Sequence, residues 1–334
     1  MGILALGRSE AGVLTNEGMA MKKNSASNAV CTTVRLFAAA LLFAGMGNLH
    51  AAEPVANTAT ALGAKYLALK DQLGRNQFKR PLAMDSRESP ESVTGEVYAL
   101  VNHPFATVGS ALNKPAQWCD IMILHLNTKY CHASTSIQAS VLNVTIGKKY
   151  DQPLEDAYRV DFAYRVAAST REYLQVRLSA DKGPISTRNY RIVLEAIPLE
   201  NGQTFIHLSY SYEFGFTGRI AMQAYLGTIG SNKVGFTVVG KQADGQPQYI
   251  GGMRGLVERN TMRYYLAIEA YMGALSVPPQ ARIEKSLHDW FAAVECYPRQ
   301  LHEMEQNDYL DMKRKEYQRQ QTEMMAAAAA AAVA

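Results

Sequence analysis

The sequence of 334 residues lacks the signatures that identify the best-known classes of enzyme. It contains no nucleophile elbow, no glycine-rich phosphate-binding loop and no HExxH motif, so no common catalytic motif assigns an activity. The net charge is only +4 and no stripe of basic residues is present, which argues against nucleic acid as a partner. There is also no internal repeat, which argues against a repeat architecture.

Long apolar runs are scarce, and the notable one lies near the N-terminus. Met21-Lys22-Lys23 opens a basic region, and the apolar run Leu36–Met46 leads to small residues at Ala51 and Ala52. This arrangement is typical of a secretory signal peptide and predicts a periplasmic or secreted protein. A membrane anchor is the alternative, but the run is short for crossing a bilayer. Residues 1–20 show no such pattern, so Met21 is the expected start.

Cysteine is scarce, with four residues in the chain: Cys31, Cys119, Cys131 and Cys296. No pair has the CxxC spacing of a zinc site or a thioredoxin-like redox site. Cys31 lies in the predicted signal peptide, which leaves an odd number in an oxidising compartment. Cys119 and Cys131 either form a disulfide, which leaves Cys296 free, or remain buried thiols.

Histidine offers few candidate positions for chemistry. His125 and His132 lie on either side of Cys131, but their spacing matches no known set of metal ligands. His207 lies in the middle of a predicted strand and is expected to be a core or cavity residue rather than a general base. We therefore predict no metal and no cofactor.

The rest of the chain carries helix and strand patterns. A helix is predicted over Thr58–Leu73 and a loop over Gly74–Pro90. A helix or helix pair is predicted over Phe105–Met122, with a break at Pro115 because proline removes a helical donor. Alternating strands are predicted at Ser92–Val101, Ser140–Ile146, Tyr158–Val166 and Leu174–Leu178. The short connections after Ser136 predict an antiparallel meander.

The strand pattern is clearest in a predicted hairpin, in which Tyr190–Pro198 and Thr204–Tyr212 flank Asn201-Gly202. Asn-Gly tolerates positive φ at both positions, so a two-residue turn is expected, with Leu194 opposite Ser209. One face then carries Tyr190, Ile192, Leu194, Phe205, His207, Ser209 and Ser211. The other face carries Arg191, Val193, Glu195, Ile197, Ile206, Leu208, Tyr210 and Tyr212. Neither face is plainly polar, so both are expected to be covered.

The C-terminal third is predicted to be mainly helical. A helix over Thr217–Thr228 and a strand over Lys233–Gly240 precede a long amphipathic helix over Val257–Leu275. A second helical zone, Ala281–Gln321, is expected to cover the sheet face that the long helix leaves open. Residues Ala326–Ala334 form an alanine tail that is expected to be disordered.

The order of strand, helix, meander and closing helix resembles the START and Bet v 1-like (SRPBCC) helix-grip superfamily. The phrase Gly183-Pro184…Thr187-Arg188-Asn189-Tyr190 is similar to the Pro-Arg-Asp-Phe phrase of START domains, with Asn189 in place of the usual acid. The resemblance implies an α+β fold in which a curved antiparallel sheet wraps around the closing helix. The predicted boundaries are a start artefact (1–20), a signal peptide (21–52), an N-terminal helix and loop (53–91), the helix-grip domain (92–276), a C-terminal helical extension (277–325) and the tail (326–334).

The resemblance also implies a cavity between sheet and helix that holds a lipid or another hydrophobic small molecule. The expected lining is Trp118, Tyr190, Ile192, Leu194, Phe205, His207, Ser209, Ser211, Tyr265 and Met272. A carrier of this kind is compatible with transient contact with a membrane, and the sequence predicts no oligomeric state. Two alternatives stay open: a cyclase-like enzyme that uses His207 or Glu195 for proton transfer, and an envelope scaffold that holds a partner through its C-terminal helices.

Overall fold

The computed structural model describes residues 55–215, 218–220 and 233–333. These residues belong to one compact unit, Ala52–Ala334. The predicted signal peptide and most of the predicted helix Thr217–Thr228 lie outside the described residues. Within the described part, no helix combines the length and apolar character that crossing a bilayer requires.

Eight strands form one sheet, and the helices precede, interrupt and follow it. The strands are β1 (Leu82–Glu88), β2 (Ser92–Val101), β3 (Thr128–Thr135), β4 (Ser140–Ile146), β5 (Tyr158–Ser169), β6 (Leu174–Lys182), β7 (Thr187–Pro198) and β8 (Thr204–Phe214). A separate hairpin consists of β9 (Val238–Lys241) and β10 (Pro247–Tyr249). The helices are α1 (Val55–Gly74), α2 (Phe105–Leu112), α3 (Pro115–Met122), α4 (Gly252–Ala274), α5 (Pro279–Glu295), α6 (Pro298–Leu301) and α7 (Gln306–Val333), with a 3-10 turn at Leu154–Asp156.

The sheet has the strand order β1-β2-β8-β7-β6-β5-β4-β3, and every pair is antiparallel. Strands β3 to β8 form the predicted meander, and β8 returns to pair with β2. The long helix α4 packs against β1, β2 and β8. The approach is close at Gly95 on β2, where a Cβ atom would lie 2.4 Å from Oγ1 of Thr261 on α4. This is the α+β helix-grip arrangement that the sequence predicts.

The β7–β8 hairpin differs from its prediction by one residue. Leu199 and Gln203 form a backbone hydrogen bond of 2.9 Å, so the loop has three residues rather than two. Only its last residue, Gly202, has positive φ, at 78°. Leu194 therefore pairs with Leu208 instead of Ser209. Because side chains alternate along a strand, this shift exchanges the two faces of β8 relative to those of β7.

The predicted faces are corrected accordingly. The inner face, toward α4, carries Tyr190, Ile192 and Leu194 of β7 with Leu208, Tyr210 and Tyr212 of β8. The outer face carries Val193, Glu195 and Ile197 of β7 with Phe205, His207, Ser209 and Ser211 of β8. Helix α1, and not the C-terminal zone, covers part of the outer face, where Leu62 packs in a second core with Tyr98 and Phe205.

The C-terminal helices belong to the main core. Trp290 of α5 and Tyr309 of α7 are fully buried and stack with ring centroids 5.0 Å apart. These two aromatic side chains therefore pack within the chain and are not offered to a partner. Helix α7 also continues through the alanine tail to Val333, where disorder is predicted. Alanine has the highest intrinsic helix propensity, which explains the continuation.

Helix α7 covers the edge strand β3. The sequence predicts neither this strand nor its cover. Gln320 accepts the backbone N–H of Cys131 at 3.0 Å, and Arg319 donates to the backbone carbonyl of Lys129 at 2.9 Å. Lys129 itself is buried and pairs with Glu316 at 2.9 Å. These contacts satisfy backbone groups that an open edge would expose.

Two further predictions near the sheet need correction. Strand β1 lies within Gly74–Pro90, where a loop is predicted. The sequence does not reveal this strand, because an edge strand with one exposed face carries many polar residues. The predicted strand Lys233–Gly240 is wrong over most of its length, since β9 begins only at Val238. The backbone N–H groups of Phe236 and Thr237 instead donate to the buried carboxylate of Glu258 on α4, at 2.6 and 2.9 Å.

Candidate functional site

Four tyrosines form a cluster between the sheet and α4, which we call the tyrosine cluster: Tyr190, Tyr210, Tyr212 and Tyr264. The ring of Tyr190 stacks on Tyr212 with centroids 5.2 Å apart and lies 6.2 Å from Tyr210. Tyr264 of α4 closes the cluster, 5.4 Å from Tyr210. The alternation of β8 places Tyr210 and Tyr212 inward, so the corrected register builds the cluster.

The hydroxyl groups of the cluster are unevenly satisfied. Tyr190 shares a hydrogen bond of 2.7 Å with the Thr187 hydroxyl, and burial raises its pKa to about 12. The Tyr212 hydroxyl is buried and has no hydrogen-bond partner among the described residues. Burial raises its pKa as well, so it remains a neutral donor and acceptor at physiological pH. A buried hydroxyl without a partner is uncommon, because each lost hydrogen bond to water is costly.

The aromatic cluster continues toward His125, which follows α3. The His125 ring stacks on Tyr264 with centroids 4.9 Å apart. Its Nδ1 accepts the backbone N–H of Asn127 at 3.1 Å, and its Nε2 is buried without a partner in the described part of the chain. Two buried polar atoms without a partner, Tyr212 Oη and His125 Nε2, thus lie at opposite ends of one row of rings.

The predicted lining residues divide between the two sides of the sheet. Six of them lie in the main core on the α4 side: Trp118, Tyr190, Ile192, Leu194, Tyr265 and Met272. Phe205, His207, Ser209 and Ser211 lie on the outer face. Trp118 donates its indole N–H to the carbonyl of Leu112 at 2.8 Å, so its polar atom is already engaged.

On the outer face, His207 and Glu195, the two residues that the enzyme alternative names for proton transfer, lie in contact. We call the group Glu96, His207, Glu195, Tyr173 and Gln175 the outer cluster. Nδ1 of His207 lies 2.7 Å from Glu195, and Nε2 lies 3.1 Å from Glu96. Tyr173 donates to Glu195, and Gln175 donates to Tyr173 at 2.9 Å. Both ring nitrogens of His207 are therefore occupied.

The electrostatics of the outer cluster are those of an ion-pair network. Burial alone would lower the pKa of His207, but hydrogen bonds to Glu195 and Glu96 outweigh it, and the pKa is raised. Burial, the largest single effect, would raise the pKa of both carboxyl groups, yet the bond to His207 and the other neighbouring charges and hydrogen bonds together outweigh it, and both pKa values are lowered. The ring of Tyr98 stacks on His207 at 4.3 Å. A covered histidine whose protonated form two carboxylates favour suits a structural role better than proton transfer.

The disulfide alternative of the sequence analysis holds, since Cys119 of α3 is bonded to Cys131 of β3. Cys131 is therefore not free to join His125 and His132 as a metal ligand. Cys296 is a free, exposed thiol. It borders a surface groove of about 370 Å³ that Arg80 and Glu269 also line.

The interior between sheet and α4 is closely packed. Ile192, Leu194 and Tyr265 are at most 1% exposed. Two surface depressions stand out in the described part of the chain, the groove at Cys296 and a shallow one on α7, and neither lies between sheet and α4.

Sequence reasoning missed His125, Tyr210, Tyr212 and Tyr264 as candidate site residues. The tyrosines of β8 were assigned to the opposite face because of the turn length. Tyr264 stands next to Tyr265, and the spacing along α4 favoured its neighbour. His125 carried no local signal, since its importance depends on Tyr264, which lies far away in sequence.

No protein family and no curated protein matches the sequence. Solved structures that are similar include human StAR-related lipid transfer protein 5, at 11% identity and a TM-score of 0.29, over 52% of this chain and 89% of that one. Norcoclaurine synthase from Thalictrum flavum has 9% identity and a TM-score of 0.30, over 45% and 82%. A conserved protein of unknown function from Enterococcus faecalis has 9% identity and a TM-score of 0.31, over 64% and 91%. At these values the likeness concerns the fold alone.

Proposed function

From a helix-grip fold of the START and Bet v 1-like type, we propose that the chain binds a small amphiphilic molecule between the sheet and α4. The apolar body of the ligand lies against the inner face, and its polar group reaches the tyrosine cluster. The observation that carries this proposal is the Tyr212 hydroxyl, which is buried without a partner in the described part of the chain. A polar ligand group supplies the hydrogen bond that the protein itself does not provide.

The binding energy in this proposal comes mainly from apolar contact. Burial of apolar surface contributes about 25 cal/mol per Å², and a few polar groups orient the ligand. Ile192, Leu194 and Tyr265 are packed at 1% exposure or less, so binding requires the packed layers to separate. We therefore expect association well below the rate of a rigid, open pocket.

The disulfide and the predicted signal peptide both suit a carrier that works outside the cytoplasm. Disulfides form and persist in oxidising compartments, and Cys119–Cys131 is such a bond. Together with the predicted signal peptide, this supports a periplasmic or secreted protein. Such a carrier sequesters its ligand from water and exchanges it by transient contact with a membrane.

The outer cluster does not favour the enzyme alternative. Glu195 and Glu96 occupy both ring nitrogens of His207, and Tyr98 covers one face of the ring. A general base needs a free lone pair within reach of a substrate proton. We therefore assign His207 to the stability of the sheet and not to a reaction.

The test is photo-crosslinking with an alkyl diazirine probe, followed by residue-level mapping. We expect saturable labelling of Tyr210 and Tyr212, which face inward on β8. Ser209 and Ser211 on the same strand face outward and serve as internal controls. Labelling confined to these serines or to α1, or labelling that an excess of unlabelled amphiphile does not reduce, would contradict the proposal.

A further inference from the structure

The environment of His125 contains a donor with no acceptor. Its Nδ1 accepts the N–H of Asn127, so the proton of a neutral ring resides on Nε2. Burial, followed by the charge of Arg263 and nearby lysines, lowers the pKa of His125 well below its usual range, so the ring is neutral. The Nε2–H group is buried and meets no acceptor among the described residues.

Positive charge exceeds negative charge around this donor. Lys149 and Lys233 both contact the carboxylate of Glu303, at 2.6 and 3.1 Å. Lys129 and Lys313 share the carboxylate of Glu316, at 2.9 and 2.6 Å. Four lysines thus face two carboxylates in the described part of the chain, without counting Arg263, which also contacts Glu303. Lys129 and Lys313 are fully buried with one carboxylate between them, and burial of incompletely compensated cations is unfavourable, so the region favours an additional anion.

This region is continuous with the tyrosine cluster and with solvent. The His125 ring lies against Tyr264, which in turn packs on Tyr210. The side chains of Lys149 and Lys233 are 28% and 29% exposed. A ligand that lies along the row of tyrosines therefore reaches His125, whose pKa the nearby charge of Lys149 helps to lower.

We propose that the ligand carries an anionic group, a carboxylate or a phosphate, that is held at His125, at the end of the row of rings opposite to the polar group that meets Tyr212. The anion accepts the Nε2–H of His125, and Lys149 and Lys233 neutralise its charge. This inference rests on the proposed function and narrows the ligand class to single-chain amphiphiles with an anionic group at one end and a second polar group toward Tyr212. Charge-assisted hydrogen bonds of this kind are stronger than neutral ones.

The experiment compares decyl phosphate, decanoate and neutral decanol by calorimetric titration of the disulfide-bonded protein below their aggregation concentrations. We expect the anions to bind at least tenfold more tightly than decanol. Lys149→Met removes one cation, and His125→Phe removes the donor while it keeps the ring. Each variant should reduce the preference for anions several-fold and leave the affinity for decanol unchanged. Lys285→Met, at a partly exposed lysine paired with Asp289, is the matched control and should change nothing.

The possible results separate the two proposals. Equal affinity for all three compounds, or an anion preference that survives both variants, overturns the anion site and leaves the proposed function standing. If no amphiphile binds, the proposed function and the amphiphile assignment fail together. Inorganic phosphate, titrated alone, then reports on the anion site itself. Phosphate binding that Lys149→Met abolishes supports the site without the apolar body, and absence of phosphate binding overturns it.

Discussion

The two faces of strands β7 and β8 carry polar clusters that differ in how completely their hydrogen bonds are made. In the outer cluster, both nitrogens of His207 contact carboxylates, and Glu195 also receives bonds from Tyr173 and Gln175. In the tyrosine cluster, the Tyr212 hydroxyl has no partner among the described residues. The same two strands therefore carry one satisfied and one unsatisfied network, back to back.

This difference separates structural from binding roles. A buried polar network whose members satisfy one another stabilises a fold and leaves nothing for a ligand to contact. A buried hydroxyl without a partner weakens the fold, unless another molecule supplies the missing bond. The unsatisfied side of the sheet is thus the better candidate for a site, although the outer face carries the residues that more closely resemble catalytic machinery.

The largest effect is expected where a satisfied network holds buried charge, at Glu316. Its carboxylate is 1% exposed and binds Lys129 and Lys313, which are not exposed at all. Glu316→Ala leaves two buried ammonium groups without a counter-charge and should lower the free energy of unfolding by about 3–5 kcal/mol. Urea denaturation at pH 7 measures this loss.

Glu284→Ala is the matched control for that measurement. Glu284 also pairs with α7, through Arg314, but both side chains are about half exposed. Exposed ion pairs contribute about 1 kcal/mol or less, so this variant should be close to wild type. Similar losses in the two variants would show that the burial of Glu316 gives it no special role.

A smaller effect tests whether α1 truly covers the outer face. Leu62 is 5% exposed and packs in the second core, whereas Leu67 on the same helix is 68% exposed. Leu62→Ala should cost about 2–3 kcal/mol, since it leaves a cavity against the sheet. Leu67→Ala should cost about 0.5 kcal/mol or less. Equal effects in thermal or urea unfolding would mean that α1 does not dock there.

The order of helices and strands could be predicted from the sequence, because the alternation of a strand and the amphipathic pattern of α4 are visible within each segment. Strand β2 begins and ends at the predicted residues, Ser92 and Val101. Strand β3 was not predicted because it contains Lys129, and a lysine is normally expected to be exposed. The burial of Lys129 depends on its ion pair with Glu316, which is 187 residues away in sequence. No local pattern reveals such a partner.

The prediction of the site residues depended on the length of the turn between β7 and β8. The dipeptide Asn201-Gly202 suits a two-residue loop, but the chain uses a three-residue loop in which only Gly202 has positive φ. Both loops are common, and sequence does not separate them. The choice moves His207 outward and Tyr210 inward, so four of the seven predicted lining residues on β7 and β8 lie on the outer side of the sheet.

The outer cluster should give stability a pH dependence of defined sign. The pKa of His207 is raised, so its contribution is complete below its unfolded pKa of about 6.5 and is lost as pH rises through the raised value. The lowered pKa values of Glu96 and Glu195 make their contribution complete above about 4.5, and it is lost at lower pH. The cluster is therefore most stabilising between these limits.

The measurement is the difference in unfolding free energy between wild type and His207→Gln, from pH 4 to pH 9. We expect a difference of about 1–3 kcal/mol near pH 5.5 that shrinks above pH 6.5. Titrating groups outside the outer cluster are common to both proteins and cancel. Ser209→Ala, at the next outward position of β8, should give a flat difference near zero. A difference that grows with rising pH would exclude a charged His207.

The smallest effect is the most informative, because the same change can be made in both clusters. Tyr173→Phe removes a hydroxyl that donates to Glu195 and accepts from Gln175, and it should cost about 2 kcal/mol. Tyr212→Phe removes a hydroxyl without a described partner, so the free energy of unfolding should stay within about 0.5 kcal/mol of wild type or rise by up to about 1 kcal/mol. Affinity for a bound amphiphile should fall in Tyr212→Phe and remain unchanged in Tyr173→Phe. If the two variants lose equal stability, the Tyr212 hydroxyl has a partner within the protein, and the main reason for placing a ligand on the inner face disappears.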